Sequence, residues 1–334
     1  MGAVKNPTYE LKDKIFAHIE ASRPYTVIWC GLVSLAGACI AFKEFPPLTI
    51  AVLVTFIPMM GWTAGLYLTD FFDRKLDLIQ KPHRPIPSGR IYKNEALAIG
   101  GVFAVLGFLL SFLLGLYNVL LVFPVAILVF TYAKFTKSQG MLGNINRGTI
   151  IIAAYFFGVF STGQQIESFP LYIWLMSILF FVHDTNSNLV GAIRDMWGDK
   201  KGGYNTIPVK YGIKKSMYIS FVLSIIYMSM IVVLINYFDF LRYPYRFYVL
   251  FLFSVLVLCS MYILIFTSKK EIDRNKALVA HEFFIAERIT LASAFIAGMT
   301  HSLILSLIIF IASLGISLIA QRSLRKRYEF MEKT

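Results

Sequence analysis

Runs of about 20 mostly apolar residues recur along this chain, broken by short charged connections, and no other feature limits its fold as much. A helix of that length crosses a hydrocarbon layer, and inside lipid only a helix or a closed barrel satisfies its own backbone. The candidate crossings are residues 26–43, 47–68, 95–116, 118–133, 148–163, 170–192, 216–237, 246–267 and 299–320. With 57% hydrophobic and 15% charged residues, the composition lies well outside the range of soluble domains. The expected fold is an all-α polytopic membrane protein of nine transmembrane helices. Segment 279–298, with His281, Glu282, Glu287 and Arg288, is either a surface-lying helix or a tenth crossing.

Residues 1–25 mix Lys5, Lys12, Lys14 and Arg23 with Glu10 and Glu20. They lack the apolar core of a signal peptide and read as a retained interfacial segment. Residues 26–320 then form the membrane domain and 321–334 a basic tail. Cys30, Cys39 and Cys259 fall in apolar spans without metal-ligand spacing, so no disulfide framework is suggested.

The net charge of +13 is sorted by membrane face. Segments 69–94, 134–147, 193–215 and 268–278 hold 6, 3, 6 and 4 Lys or Arg, whereas the alternate connections hold only Lys43, Arg242 and Arg246. This positive-inside asymmetry puts the basic loops and the N-terminus in the cytoplasm of an integral, multi-pass membrane protein. The charge reads as topology plus attraction to anionic membrane lipid or phosphate, not to nucleic acid. Nine crossings leave the tail RSLRKRYEF (322–330) on the opposite face, a conflict with that rule.

The decisive feature is a pair of acidic clusters. In DFFDRKLDLIQKPHRPIPSGR (70–90), Asp70, Asp73 and Asp77 are spaced i, i+3, i+7, which places them on one helical face. Four crossings later, Asp195 and Asp199 are spaced i, i+4 in IRDMWGDKKGGYNTIPVKYG (193–212) and emerge on the same side. The shared register, aspartates at a helix end followed by bases and a proline turn, suggests a two-fold pseudo-repeat of four-helix units. Stacked carboxylates repel unless a cation sits among them, and hard oxygen donors without Cys suit Mg²⁺, two or more ions, bridging carboxylate to phosphate. Lys81, Arg84, Arg90, Lys200 and Lys201 could neutralise a diphosphate directly. Such an assembly suits ionisation of an allylic prenyl diphosphate in a dry, aromatic-rich cavity.

These residues carry a specific resemblance. TDFFDRKLD (69–77) resembles the N-D-x-x-D-x-x-x-D signature of the UbiA-type intramembrane prenyltransferases, with Thr69 where that family usually has Asn. KPHRPIPSGRI (81–91) resembles the basic stretch that follows it, and RDMWGDKKGGYNTIPVKYG (194–212) the second aspartate motif. The likeness spans residues 23 to about 320. It implies nine helices around a central cavity, two cytosolic cap loops (69–94 and 193–215) closing over Mg²⁺ and diphosphate, and a prenyl tail leaving sideways toward lipid. The metal and catalytic roles would fall on Asp70, Asp73, Asp77, Asp195 and Asp199. ASRPYT (21–26) makes Arg23 a phosphate contact; YAKFTK (132–137) offers Lys134 or Lys137, and GNINRG (143–148) places Asn144 at the cavity mouth.

Within FVHDTNSNLVGAIRD (181–195), Asp184 and Asn188 share a stripe with Asp195, and an ionisable group at that depth should face a cavity or partner. They are read as cavity or acceptor residues, and His183 as a structural hydrogen-bonder. RPIPSG (84–89) most resembles the glycerol-phosphate lipid branch and the chlorophyll branch of the family. A lipid acceptor is therefore expected, with an aromatic acceptor as the alternative and Asp70 as the candidate base. A cation-coupled transporter is the alternative of another class.

Overall fold

The computed structural model describes residues 10–268 and 272–328, so the rest of the N-terminal segment and the end of the basic tail lie outside it. Among the described residues the chain is all-helical. Twelve α-helices run in order: α1 Leu11–Ser22, α2 Pro24–Phe42, α3 Leu48–Gln80, α4 Lys93–Ser111, α5 Leu116–Thr131, α6 Met141–Phe160, α7 Leu171–Lys201, α8 Ile207–Tyr211, α9 Ile213–Phe238, α10 Pro244–Phe266, α11 Arg274–Met299 and α12 Leu303–Tyr328.

Seven of these helices are long and apolar enough to cross a membrane: α2, α3, α4, α5, α9, α10 and α12. Their outer faces present Val105, Phe123, Val233, Leu252 and Ile308 to the surroundings, as lipid contact requires. Helices α6, α7 and α11 are of spanning length but carry Arg147, Asp184, Glu287 and Arg288 inward, which dilutes their apolar signal. Pro24 and Pro244 open α2 and α10 at a position where the missing N–H costs nothing, and Asp273 caps α11 by accepting from Lys276 N at 2.8 Å.

Segment 279–298 is not a surface-lying helix. It belongs to α11, which is buried along nearly its whole length among α10, α2, α12 and α7. Its charges face partners inside the bundle: Glu287 Oε2 is 2.9 Å from His183 Nε2 and Glu287 Oε1 accepts from Tyr227 Oη at 3.2 Å. His183 thus serves as a buried structural hydrogen-bonder.

Two connections at the far face are tied together, with Arg242 Nη1 donating to Glu44 at 2.8 Å and Arg246 donating to the carbonyl of Thr300 at 2.7 Å. Helix α12 returns from that face. Near its C-terminal end, Gln321 is 3.3 Å from His281, which is 3.3 Å from Arg194 beside the second aspartate pair. The described end of α12 therefore finishes on the aspartate side.

The α2–α6 contact positions this architecture most tightly. A Cβ on Gly158 would lie 1.8 Å from the carbonyl oxygen of Ser34, and one on Gly37 would lie 2.4 Å from that of Tyr155. Backbones this close are the small-residue packing of membrane helices.

Candidate active site

The five aspartates sit within helices, not in loops. Helices α3 and α7 run on past their apolar stretches to Gln80 and Lys201, carrying Asp70, Asp73 and Asp77 on one and Asp195 and Asp199 on the other. Short connections, residues 81–92 and 202–212, then turn back toward the bundle. Two side chains cross between the helices. Lys81 Nζ donates to Asp195 Oδ1 at 3.0 Å, and Tyr204 Oη donates to Asp73 Oδ1 at 3.0 Å. Both acidic clusters therefore border one polar cavity of about 1200 Å³.

Basic residues hold four of the five carboxylates, and Asp199 accepts from Thr206 Oγ1 at 3.3 Å. Arg23 pairs with Asp70, Arg84 lies 2.7 Å from Asp77 and 3.6 Å from Asp70, and Lys137 pairs with Asp73. Burial alone would raise Asp195, but Arg194 and Lys81 outweigh it and hold this carboxyl well below the usual carboxylate range. Asp199 behaves oppositely: burial, reinforced by the neighbouring Asp195 charge, pushes it up to about 6. Arg23 sits at the α1–α2 junction with φ 44°, a left-handed conformation uncommon for arginine, which is found where surrounding structure overdetermines the residue.

The choice between Lys134 and Lys137 is decided by one turn of π-helix over Tyr132–Thr136, closed by Lys137 N donating to Tyr132 O at 3.2 Å. The wider turn absorbs one extra residue and brings Lys137 onto Asp73. Lys134 points away, between the rings of Phe130 and Phe135. Lys137→Ala is expected to cut turnover about 10- to 100-fold, the loss of a charge-assisted contact, and Lys134→Ala to change it less than about twofold, as exposed sites do. Steady-state product formation by both variants checks this.

Of the other predicted residues, Arg23, Thr69, Asp73, Asp77, Lys81, Arg84, Asn144, Asn188, Asp195 and Asp199 line the cavity. Asn188 Nδ2 donates to Asn144 Oδ1 at 2.8 Å. Four predicted contacts do not reach the cavity lining. Arg90 instead pins its loop to α1, donating to Glu20 at 2.8 Å and to His83 O at 2.6 Å. Lys200 and Lys201 stand on the outer side of the end of α7, and Lys134 stands on its aromatic rings. Asp184 is a correction of a different kind: it is fully buried behind the wall, accepting from Trp29 Nε1 at 2.8 Å. Asp70 lies outside the lining as well, with Arg23 and Arg84 both against its Oδ1.

The sequence reading missed Trp62, Tyr132, Arg147, Arg194, Tyr204, His281 and Arg288, all of which line the cavity. Arg147 carried a usable signal, a cation inside a membrane helix; it stacks over Trp62 at 4.3 Å. Trp62 also walls a second, apolar cavity of about 600 Å³, bordered by Ile57, Phe108, Val125, Val129 and Phe157. The polar and apolar spaces therefore meet at one tryptophan.

The UbiA prenyltransferase family model matches residues 29–288. The chain belongs to the UbiA prenyltransferase family. It is a prenyltransferase and an integral membrane protein, which retires the transporter alternative. The digeranylgeranylglyceryl phosphate synthase of Korarchaeum cryptofilum is 31% identical over 212 residues, covering 64% of this chain and 73% of that protein. That of Sulfurisphaera tokodaii is 28% identical over 258 residues, covering 77% and 89%. Among solved structures, a UbiA homolog from Aeropyrum pernix K1 superposes with TM-score 0.68 at 17% identity, covering 81% of this chain and 97% of that one. Another, from Archaeoglobus fulgidus and bound to GPP and Mg²⁺, has TM-score 0.55 at 16% identity, covering 92% and 99%. At those identities the likeness is one of fold. The match to the family model stops at Arg288, so α12 lies beyond it.

Proposed function

We propose that this protein transfers a prenyl group from an allylic prenyl diphosphate to the hydroxyl of a glycerol-phosphate lipid, using Mg²⁺ held at the two aspartate helices. The observation that carries the reading is the pair of cross-links, Lys81 to Asp195 and Tyr204 to Asp73, which bring both acidic clusters to one cavity. The similarity to digeranylgeranylglyceryl phosphate synthases supports the acceptor class.

The donor set fits the metal. No group of three acidic, His or Cys side chains among the described residues converges enough to hold an ion unaided. Mg²⁺ binds reluctantly in all-protein cages and favours one or two carboxylates completed by phosphate oxygens. Asp73, Asp77, Asp195 and Asp199 would supply those carboxylates, and when bound the ions would neutralise charge on the departing diphosphate.

The chain's own residues have separate tasks. Lys81, Arg84 and Lys137 face the cavity from their aspartate partners and hold the diphosphate oxygens by charge-assisted hydrogen bonds. The prenyl tail passes Trp62 into the apolar cavity, whose walls exclude water. As the C1–O bond breaks, its electron pair leaves with diphosphate. The acceptor oxygen then bonds to C1, and the hydroxyl proton passes to an oxygen of the same acidic site.

Ten long helices, with α1 and the end of α12 on the aspartate face, fit the cytoplasmic placement that the basic loops require. Residues 10–22 would lie at that interface as a peripheral segment of the membrane domain.

The test is incubation of the purified protein in lipid nanodiscs with labelled prenyl diphosphates of graded length and a panel of acceptors. An ether product and diphosphate release are expected with the glycerol-phosphate lipid, and chelation by EDTA is expected to abolish both. Prenylation confined to hydroxybenzoate- or naphthoate-type acceptors would replace the lipid by an aromatic substrate.

A further inference from the structure

One part of the cavity wall carries more positive charge than its acids balance. Arg147 on α6 and Arg288 on α11 both line the cavity, and Asp184, buried behind the wall, pairs among the described residues with Arg147 alone. Arg147 Nε stands 3.4 Å from Asp184 Oδ2, and the Arg288 guanidinium stands 5.8 Å from the ring of Trp29, which is itself bonded to Asp184. Arg288 is only 2% exposed, and its hydrogen bonds go to neutral groups, Ser187 Oγ at 3.2 Å and the carbonyl of Tyr25 at 2.7 Å. Glu287, its neighbour in sequence, is taken up by His183, Tyr227 and Ser254. Among the described residues Arg288 has no ion pair within 4.0 Å, and the Nε atoms of Arg288 and Arg147 lack hydrogen-bond partners.

A guanidinium sealed from water without a direct ion-pair partner is costly, and the cost is offset where a ligand supplies the anion. That anion is not the diphosphate at the aspartates. Ser187, which holds Arg288, precedes Asp195 by eight residues of α7, about 12 Å along the helix axis. The Asn144–Asn188 pair adjoins the arginines, Asn144 one turn before Arg147 and Asn188 next to Ser187, and offers amide groups to a neighbouring hydroxyl.

We infer that Arg288 and Arg147 form a second anion subsite that takes the phosphate monoester of the acceptor lipid. The inference rests on the glycerol-phosphate reading above, and the experiment separates the two. Wild type, Arg288→Met and Arg147→Met are assayed with the phosphorylated glycerol lipid and with its dephosphorylated alcohol, and acceptor binding is measured by titration in EDTA.

Wild type is expected to prefer the phosphorylated acceptor. Either Met variant is expected to lose about 10- to 100-fold in kcat/KM for it, with matching loss of affinity in EDTA. The preference for the phosphorylated acceptor over the alcohol should fall by the same factor, and thermal unfolding in detergent reports a folded protein. Arg288→Lys, which keeps the charge, should restore part of the preference. Unchanged preference in both Met variants overturns the subsite, as does a rise confined to the KM of the prenyl diphosphate. Failure of wild type to use either glycerol lipid overturns the acceptor reading itself.

Discussion

Asp73→Ala is expected to lower prenyl transfer by about 10³-fold or more while leaving a folded protein. Asp73 lies at the centre of the site: it pairs with Lys137, accepts from Tyr204 at 3.0 Å, and faces the same cavity as Asp195. Its removal takes away a carboxylate for the metal and leaves Lys137 without its counter-charge. It also cuts the hydrogen bond that ties the 202–206 turn to α3. Asp73→Asn keeps shape and loses charge, and it should be nearly as inactive if charge is what matters. Mass spectrometry of labelled product measures both variants, with thermal unfolding in detergent as the control. Retention of more than about a tenth of wild-type turnover in Asp73→Asn would remove this carboxylate from the metal site.

Gly158→Leu is expected to prevent assembly of the bundle. Even a methyl group there would fall 1.8 Å from Ser34 O and 2.8 Å from Ala38 N, both backbone atoms that cannot rotate away. Overpacking of a rigid contact costs about 1–3 kcal/mol and more when backbone must move. Because α6 brings Asn144 and Arg147 to the cavity and α2 begins beside Arg23, separating the two helices would also open the site. Size-exclusion profile and thermal unfolding measure the effect. Gly61→Ala is the matched comparison: nothing lies within 4 Å of a Cβ there, so it should behave as wild type.

The aspartates were legible because their spacing is helical and their chemistry has few other uses. Side-chain direction was harder to read. Lys200 and Lys201 are nearer the motifs in sequence than Lys81 and Arg84, and Arg90 lies six residues past Arg84, yet a turn or a helix face carries all three away from the cavity. YAKFTK offered two lysines, but the π turn that selects Lys137 was not legible. Helix α11 was obscured by its own function. Glu287 and Arg288 interrupt its apolar run, and hydropathy cannot distinguish a polar surface from a charge aimed into a cavity. Tyr204, Trp62 and His281 reach the cavity only through tertiary packing, for which periodicity gives no signal.

The return of α12 to the side on which α1 lies has a practical consequence for handling the protein. A flexible tether could join the start of α1 to the end of α12 without threading the bilayer, and the ring so formed could be reopened at the far-side 43–47 connection. A permuted chain of this kind would keep every helix in its place while moving both free ends to the opposite leaflet, away from the substrate mouth.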